Sequence, residues 1–199
     1  MRKRIVVVLL AVIVLGNGCG YNRLVNLQQE VEKQWAQVQN VYQRRADLIP
    51  NLVATVSGAA NFEKSTLVDV TEARASVGKV DASQVLNDPS KFAEFQRAQG
   101  QLTSALSRLL VVVERYPELK SNSNFLELQA QLEGTENRIA VERGRYNEIV
   151  QQYNTAIKSF PTLLYAGALK FKEKPYFTAT TGAETPPKVN FDFQGKSSK

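Results

Sequence analysis

From Leu24 onward the apolar residues return at steps of three and four: Leu24, Leu27, Val31, Trp35, Val38, Tyr42, Ala46, Ile49, Leu52 and Val56. Such steps bring back the same face of a helix. Gln28, Gln29, Glu30, Glu32 and Lys33 fill the opposite face, so the stretch predicts one long amphipathic helix. Pro50 falls inside it. Proline removes a backbone hydrogen bond and crowds the carbonyl four residues back, which predicts a kink or break at Ala46 to Ile49. The apolar spacing keeps its phase across the proline, which favours a kink over a stop. A second segment runs from Phe62 through Leu67, Val70, Arg74 and Val77 to Gly78, with Gly58 and Asn61 as a soft joint before it.

Asp88 can cap a third helix, and Pro89 fits its first position, where the missing N–H costs nothing. Phe92, Phe95, Gln99, Leu102, Leu106, Leu109, Val113 and Tyr116 then repeat on one face until Pro117 stops them. Asn124, with Glu127 three residues on, resembles a capping box for the last long helix. Its inward face reads Phe125, Leu128, Leu132, Thr135, Ile139, Glu142, Tyr146, Ile149, Tyr153, Ala156 and Phe160. Gly134 and Gly144 each cost about 1 kcal/mol against Ala in a helix, and close approach of a neighbouring helix would account for them. Pro161 begins a short helix, Leu163 to Leu169.

Past Lys172 the period is lost and breakers accumulate, so 173–199 reads as an extended or disordered tail. Tyr176-Phe177 and Phe191-Asp192-Phe193 are the pairs that could dock it on the body. Strand alternation is not found. Sustained three-four spacing suits either an intramolecular bundle or an intermolecular coiled coil. The short link from Tyr116 to Asn124 joins two long helices, and short links join antiparallel neighbours. The expected fold is therefore all-α: an antiparallel bundle of three to four main helices over 19–172, the first kinked at Pro50.

The start of the chain adds a location. Arg2, Lys3 and Arg4 precede an unbroken apolar run from Ile5 to Leu15, whose length of about 11 residues falls short of the ~20 that a membrane span needs. Small residues then lead to Cys19, the single cysteine, so 1–18 reads as a secretory leader. The position of Cys19 resembles a bacterial lipobox, in which that cysteine becomes the lipidated first residue. The fit departs in one place: Gly16 stands where Leu is usual, and Leu15 sits one place early. The other reading is an uncleaved anchor running on through Gly20 and Tyr21. Both keep the protein on a membrane, with Tyr21 and Arg23 at headgroup level.

Charge narrows the partners. The chain carries 25 basic and 19 acidic residues for a net +6, and the leader holds three of the basic ones and no acid, which leaves about +3. No basic stripe of the kind nucleic-acid binding needs is present. The sequence has no histidine. That excludes a Ser-His-Asp triad, the Glu-x-x-His iron site of helical bundles and the usual zinc sites. There is no phosphate-cradling glycine loop. Buried carboxylates are the one catalytic option left.

Several blocks in order carry a family resemblance. They are Tyr21-Asn22-Arg23-Leu24-Val25, Arg44-Arg45-Ala46-Asp47-Leu48-Ile49-Pro50-Asn51-Leu52-Val53, Tyr116-Pro117-Glu118-Leu119-Lys120 with Asn124-Phe125-Leu126, Thr135-Glu136-Asn137-Arg138-Ile139, Arg145-Tyr146-Asn147, and Tyr153-Asn154 to Phe160-Pro161. Together, from Tyr21 to about Phe193, they resemble the LemA family. The resemblance implies a membrane-anchored helical bundle outside the cytoplasm and assigns no catalytic residues. Members often occur beside membrane-embedded metallopeptidases and other envelope proteins, and one branch helps organise magnetosome membranes.

The expected role is a bacterial envelope scaffold or accessory protein that acts through protein–protein contacts, without cofactor, metal or small-molecule ligand. The expected partners are the membrane and other envelope proteins, a membrane metallopeptidase being one candidate. If Cys19 is lipidated in a Gram-negative host, Gly20 in the second position points to the outer membrane. Two other readings stand beside it: an enzyme using buried carboxylates, and a membrane-shaping protein. The candidate structural or docking cluster is Arg44, Arg45, Asp47, Pro50, Asn51 and Glu142. Glu142 falls on the core-facing row of the last helix, and a buried carboxylate is costly unless paired, so Arg45 or Arg44 is its expected partner. Asp47 has Arg138 or Arg145 as alternatives. Trp35, Tyr42, Tyr146 and Tyr153 read as core at their helical spacing.

Overall fold

The computed structural model describes residues 2–60, 62–82 and 84–178, with side chains from Gly20 onward. Its elements are α1 (Arg2–Ser57), α2 (Lys64–Gly78), α3 (Pro89–Val113), α4 (Pro117–Lys120), α5 (Ser123–Lys158) and α6 (Leu163–Ala166). No strand occurs among the described residues, and no helix among them is long and apolar enough to cross a membrane. The all-α expectation holds.

The packing follows the periodic rows. On α1, Leu24, Leu27, Val31, Trp35, Val38, Tyr42, Ile49, Leu52 and Val56 are buried. Antiparallel α5 lies along them: Gln34 of α1 meets Glu142, while Arg45, further on, meets Glu136. Helix α3 runs parallel to α1, its Phe92 and Phe95 on Trp35 and its Gln99 beside Arg45. Helix α2 runs against α3, joined by Arg108–Asp69 and Arg115–Glu63 ion pairs. The core has two clusters. One extends from Leu24 to Tyr42 and takes in Phe92, Phe95 and Tyr146; the other extends from Ile49 to Val56 and takes in Leu102, Leu109 and Phe125.

Helix α1 passes Pro50 without a break. Pro50 leaves the carbonyl of Ala46, four residues back, without its helical donor. Arg74 of α2 supplies one, its Nε lying 3.0 Å from the Ala46 oxygen. A side chain from the neighbouring helix thus completes the ladder the proline interrupts.

Capping matches expectation at one helix and departs from it at another. Asp88 caps α3, its carboxylate accepting from the Ser90 N–H at 2.8 Å with Pro89 at the first position. Helix α5 is capped by Asn122, whose Oδ1 accepts from Phe125 N–H at 3.2 Å, and not by Asn124. Asn122 has the extended backbone a cap requires, whereas Asn124 already lies in the first turn. Helix α3 ends at Val113 rather than Tyr116, because Pro117 holds Tyr116 out of the helical region (φ −119°, ψ 87°). Nothing within 4 Å would meet a Cβ at Gly134 or Gly144, so close helix approach does not account for them. Phe160, placed on the core row by its spacing, is 81% exposed, beyond the end of α5 at Lys158.

The start of the tail is extended, as the sequence suggests, and one of the two expected docking pairs holds it to the body. Residues 173–178 pack on the bundle as an extended strap. Asn154 receives the Lys174 N–H and donates to its carbonyl, both at 2.9 Å; Asn147 does the same for Phe177, again at 2.9 Å. The spacing is matched, because seven helical residues and three extended ones both advance about 10 Å. Phe177 is buried against Phe92 and Tyr146, with ring centroids 4.8 and 5.3 Å away. Tyr176 is 40% exposed. Phe191-Asp192-Phe193 lies outside the described residues.

Burial raises the phenol pKa of Tyr146, Tyr42 and Tyr153 above its ordinary value of 10.0. A raised folded-state pKa contributes stability that is present below the unfolded value and lost as pH climbs toward the folded one. The bundle is therefore expected to lose stability above pH 10.0, these phenols ionising together with unfolding. Thermal melts followed by circular dichroism, with tyrosinate absorbance recorded in parallel, check this; tyrosinate appearing fully before helix loss would contradict it.

Candidate functional site

Arg45 lies where the two core clusters meet and is 1% exposed. A buried guanidinium must find several acceptors. Here Nη1 donates to Thr103 Oγ1 at 2.9 Å and pairs with Glu136, while Nη2 donates to Gln99 Oε1 and, at 3.4 Å, to the Gln99 carbonyl. The guanidinium carbon lies 5.2 Å from the centroid of the Tyr42 ring. Arg45 Nε has no partner. Helices α1, α3 and α5 each contribute to this single contact set.

The set opens outward. Glu136 is 40% exposed on its side chain and faces a groove between α3 and α5 of about 750 Å³. Arg97, Arg108 and Arg143 line the groove together with Arg45. Arg143 stacks 4.7 Å over the Phe177 ring and donates to the Thr178 carbonyl at 2.9 Å, so the strap closes one end. Burial raises the Tyr42 phenol, and the facing guanidinium groups of Arg143 and Arg45 oppose the rise. Arg45 is paired with Glu136 and Arg108 with Asp69, so the net positive charge of the groove rests on Arg97 and Arg143. Arg's planar fork suits carboxylates in particular.

The sequence-derived cluster separates in space. Arg44, Asp47, Pro50 and Asn51 are exposed, and Asp47 accepts from Gln43 at 2.7 Å rather than from Arg138 or Arg145. Asn51 lines a second cavity of about 440 Å³, between α1 and α5. Glu142 does not meet Arg45. It accepts from Gln34 Nε2 at 2.6 Å and from Arg145 at 2.9 Å, its side chain 17% exposed. The reason is position along α5: Glu142 stands about 9 Å from Glu136 along the axis, opposite Gln34. Sequence reasoning missed Gln99, Thr103, Glu136 and Arg143 as its companions. One signal was available, because Gln99 sits on an otherwise apolar row with Thr103 one turn later. Among the described residues, no group of three or more His, Cys, Asp or Glu could hold a metal ion.

Comparison with known proteins gives a consistent set. The LemA family profile matches residues 34–191. Magnetosome protein MamQ 2 of Paramagnetospirillum magneticum is 26% identical over 183 residues, covering 83% of this chain and 67% of its own. Magnetosome protein MamQ of Magnetospirillum gryphiswaldense matches with the same identity and coverage. Protein LemA of Metamycoplasma hominis is 25% identical over 159 residues, 80% of this chain and 69% of its own.

Arg45→Ala is expected to destabilise the fold by about 3 kcal/mol, the low end for a broken buried pair because Glu136 keeps contact with water. Arg44→Ala should change stability by no more than about 0.5 kcal/mol. Double-mutant cycles by urea denaturation should find coupling between Arg45 and Glu136 and none between Arg45 and Glu142. The reverse pattern would refute the arrangement described here.

Proposed function

We propose, for a chain that belongs to the LemA family, that it is a membrane-anchored envelope scaffold working by contact with other envelope proteins, without catalysis. The observation that carries this reading is the arginine-lined groove between α3 and α5. A groove with Arg45 at its floor and Arg97, Arg108 and Arg143 on its walls suits an acidic segment of another protein. Gln96, Gln101 and Ser104 beside the arginines add neutral hydrogen-bonding groups that suit the backbone of such a segment. Two of the similar proteins are named magnetosome proteins, which fits a role in organising an envelope compartment.

The anchor belongs to the same proposal. The proposed leader, 1–18, comes directly before Cys19, and α1 leads from there straight into the bundle. Lipidation of Cys19 would hold the bundle at the membrane on the non-cytoplasmic side, the periplasmic face of the outer membrane in a Gram-negative host. Cys19→Ser should then abolish incorporation of labelled fatty acid and leave precursor of higher mass. Unchanged labelling and processing would leave an uncleaved anchor as the surviving form.

The groove is tested separately in intact cells. A photo-crosslinking residue in place of Gln101 is expected to trap a discrete envelope protein, whereas one in place of Glu72, on the outer face of α2, should not. Arg97→Glu combined with Arg108→Glu should remove the adduct while the bundle stays folded, at a stability cost of about 1 kcal/mol from replacing the exposed Arg108–Asp69 pair with like charges. Persistence of the adduct after both charge reversals would eliminate the acidic-segment reading.

A further inference from the structure

We propose that the end of the bundle beside the leader is a lipid-contact surface, in which Phe160, Leu163, Leu164 and Leu169 enter the interface of an anionic bilayer. This goes beyond the groove and rests only on the leader's bringing the chain to a membrane. Exposed large apolar residues are concentrated here. Phe160 is 81% and Leu164 74% exposed, and Leu163, Leu169 and Tyr21 are exposed beside them. The other exposed large apolar residues, Val68, Val111, Leu126, Val141 and Tyr176, are scattered along the body. Single exposed apolar residues are ordinary; a contiguous group marks an interaction surface.

Local packing fixes the orientation of this corner. Ala166 is buried in the core cluster that contains Leu24, and Tyr165 packs against the same cluster. Tyr165 closes directly on α1 at Gly20, where a Cβ would overlap its hydroxyl. Tyr21 meets Phe171 edge to face at 6.0 Å. With residues 165 and 166 turned inward, Leu163 and Leu164 are turned out. Lys170, at φ 63°, turns the chain back toward the strap. The apolar group therefore stands at the point where α1 continues from Gly20 toward Arg2.

Charge identifies the occupant. Arg23, Lys170 and Lys172 are exposed around the apolar group, and Lys158 is ion-paired with Glu173 at 2.7 Å. An apolar centre with a cationic rim suits acyl chains below anionic headgroups, each basic side chain adding attraction to the surface. Continuity with the leader selects a bilayer over a protein: whatever holds the leader lies against this end.

The test uses the full chain reconstituted in vesicles of phosphatidylethanolamine and phosphatidylglycerol with brominated acyl chains. Leu164→Trp adds a tryptophan at the corner, and Val111→Trp adds one near the far end of α3, with Trp35 left as a buried reference. The emission gained at position 164 should be quenched by roughly half or more, as for side chains in the acyl boundary, and that gained at 111 should be retained. To exclude insertion driven by the new ring, the unsubstituted chain is acetylated in the same vesicles. Lys170 and Lys172 should react several-fold more slowly there than in neutral phosphatidylcholine vesicles, while Lys64 is unchanged. Co-sedimentation with vesicles reports the anchor independently. Equal quenching at 164 and 111 in a co-sedimenting protein would overturn the proposal. So would lysine protection that depends on protein-to-lipid ratio, which would mean a second copy covers the corner.

Discussion

The structure depends on satisfying one buried guanidinium. Arg45 carries a full charge into the waist between two apolar clusters, and an uncompensated charge there would be intolerable. Its partners come from two other helices: Gln99 and Thr103 on α3, Glu136 on α5. Only one mutual register of α1, α3 and α5 brings all three within reach. The aromatic contacts of Trp35 with Phe92, Phe95 and Tyr146 already favour this register by shape. The arginine adds a polar requirement that a slipped register would leave unmet. In exchange for desolvation, the buried charge fixes register, and the same demand leaves Glu136 and three further arginines around an open groove.

Much of the helical architecture was legible because burial has a period. The rows read from Leu24 to Val56 and from Phe92 to Val113 are the buried rows, with Ala46 only partly covered. Asp88-Pro89 announced a helix start through chemistry confined to two residues. The pairing of Arg45 was not legible, because it depends on axial offset between helices distant in sequence. Glu142 and Glu136 lie six positions apart on one helix, and only packing decides which of them Arg45 reaches. Helix ends were misjudged where a polar residue had an equivalent neighbour, as with Asn122 and Asn124.

The strap was legible as an extended segment with Phe177 as a docking residue, but its hydrogen-bond partners were not. An extended segment paired with side-chain amides has neither the period of a helix nor the alternation of a sheet. What specifies it is Asn147 and Asn154, two turns apart on the same side of α5, each presenting donor and acceptor to a passing backbone. Without that pairing, Lys174 and Phe177 would bury unpaired peptide groups at about 1–3 kcal/mol each. The Arg74 contact to the Ala46 carbonyl belongs to the same kind. In both, a side chain supplies what the backbone alone lacks.

The unbroken course of α1 sets a height. Twenty-five residues separate Gly20 from Arg45, and at 1.5 Å each the groove floor stands about 38 Å from the membrane end of the helix. An embedded protein whose loops barely clear the headgroups would not reach that far. Under the proposed anchoring, with α1 standing along the membrane normal, partners for the groove would need a folded domain or a tethered acidic tail rising several nanometres from the bilayer. The bundle would then act as a spacer as much as a clasp, setting how far from the surface two proteins can meet.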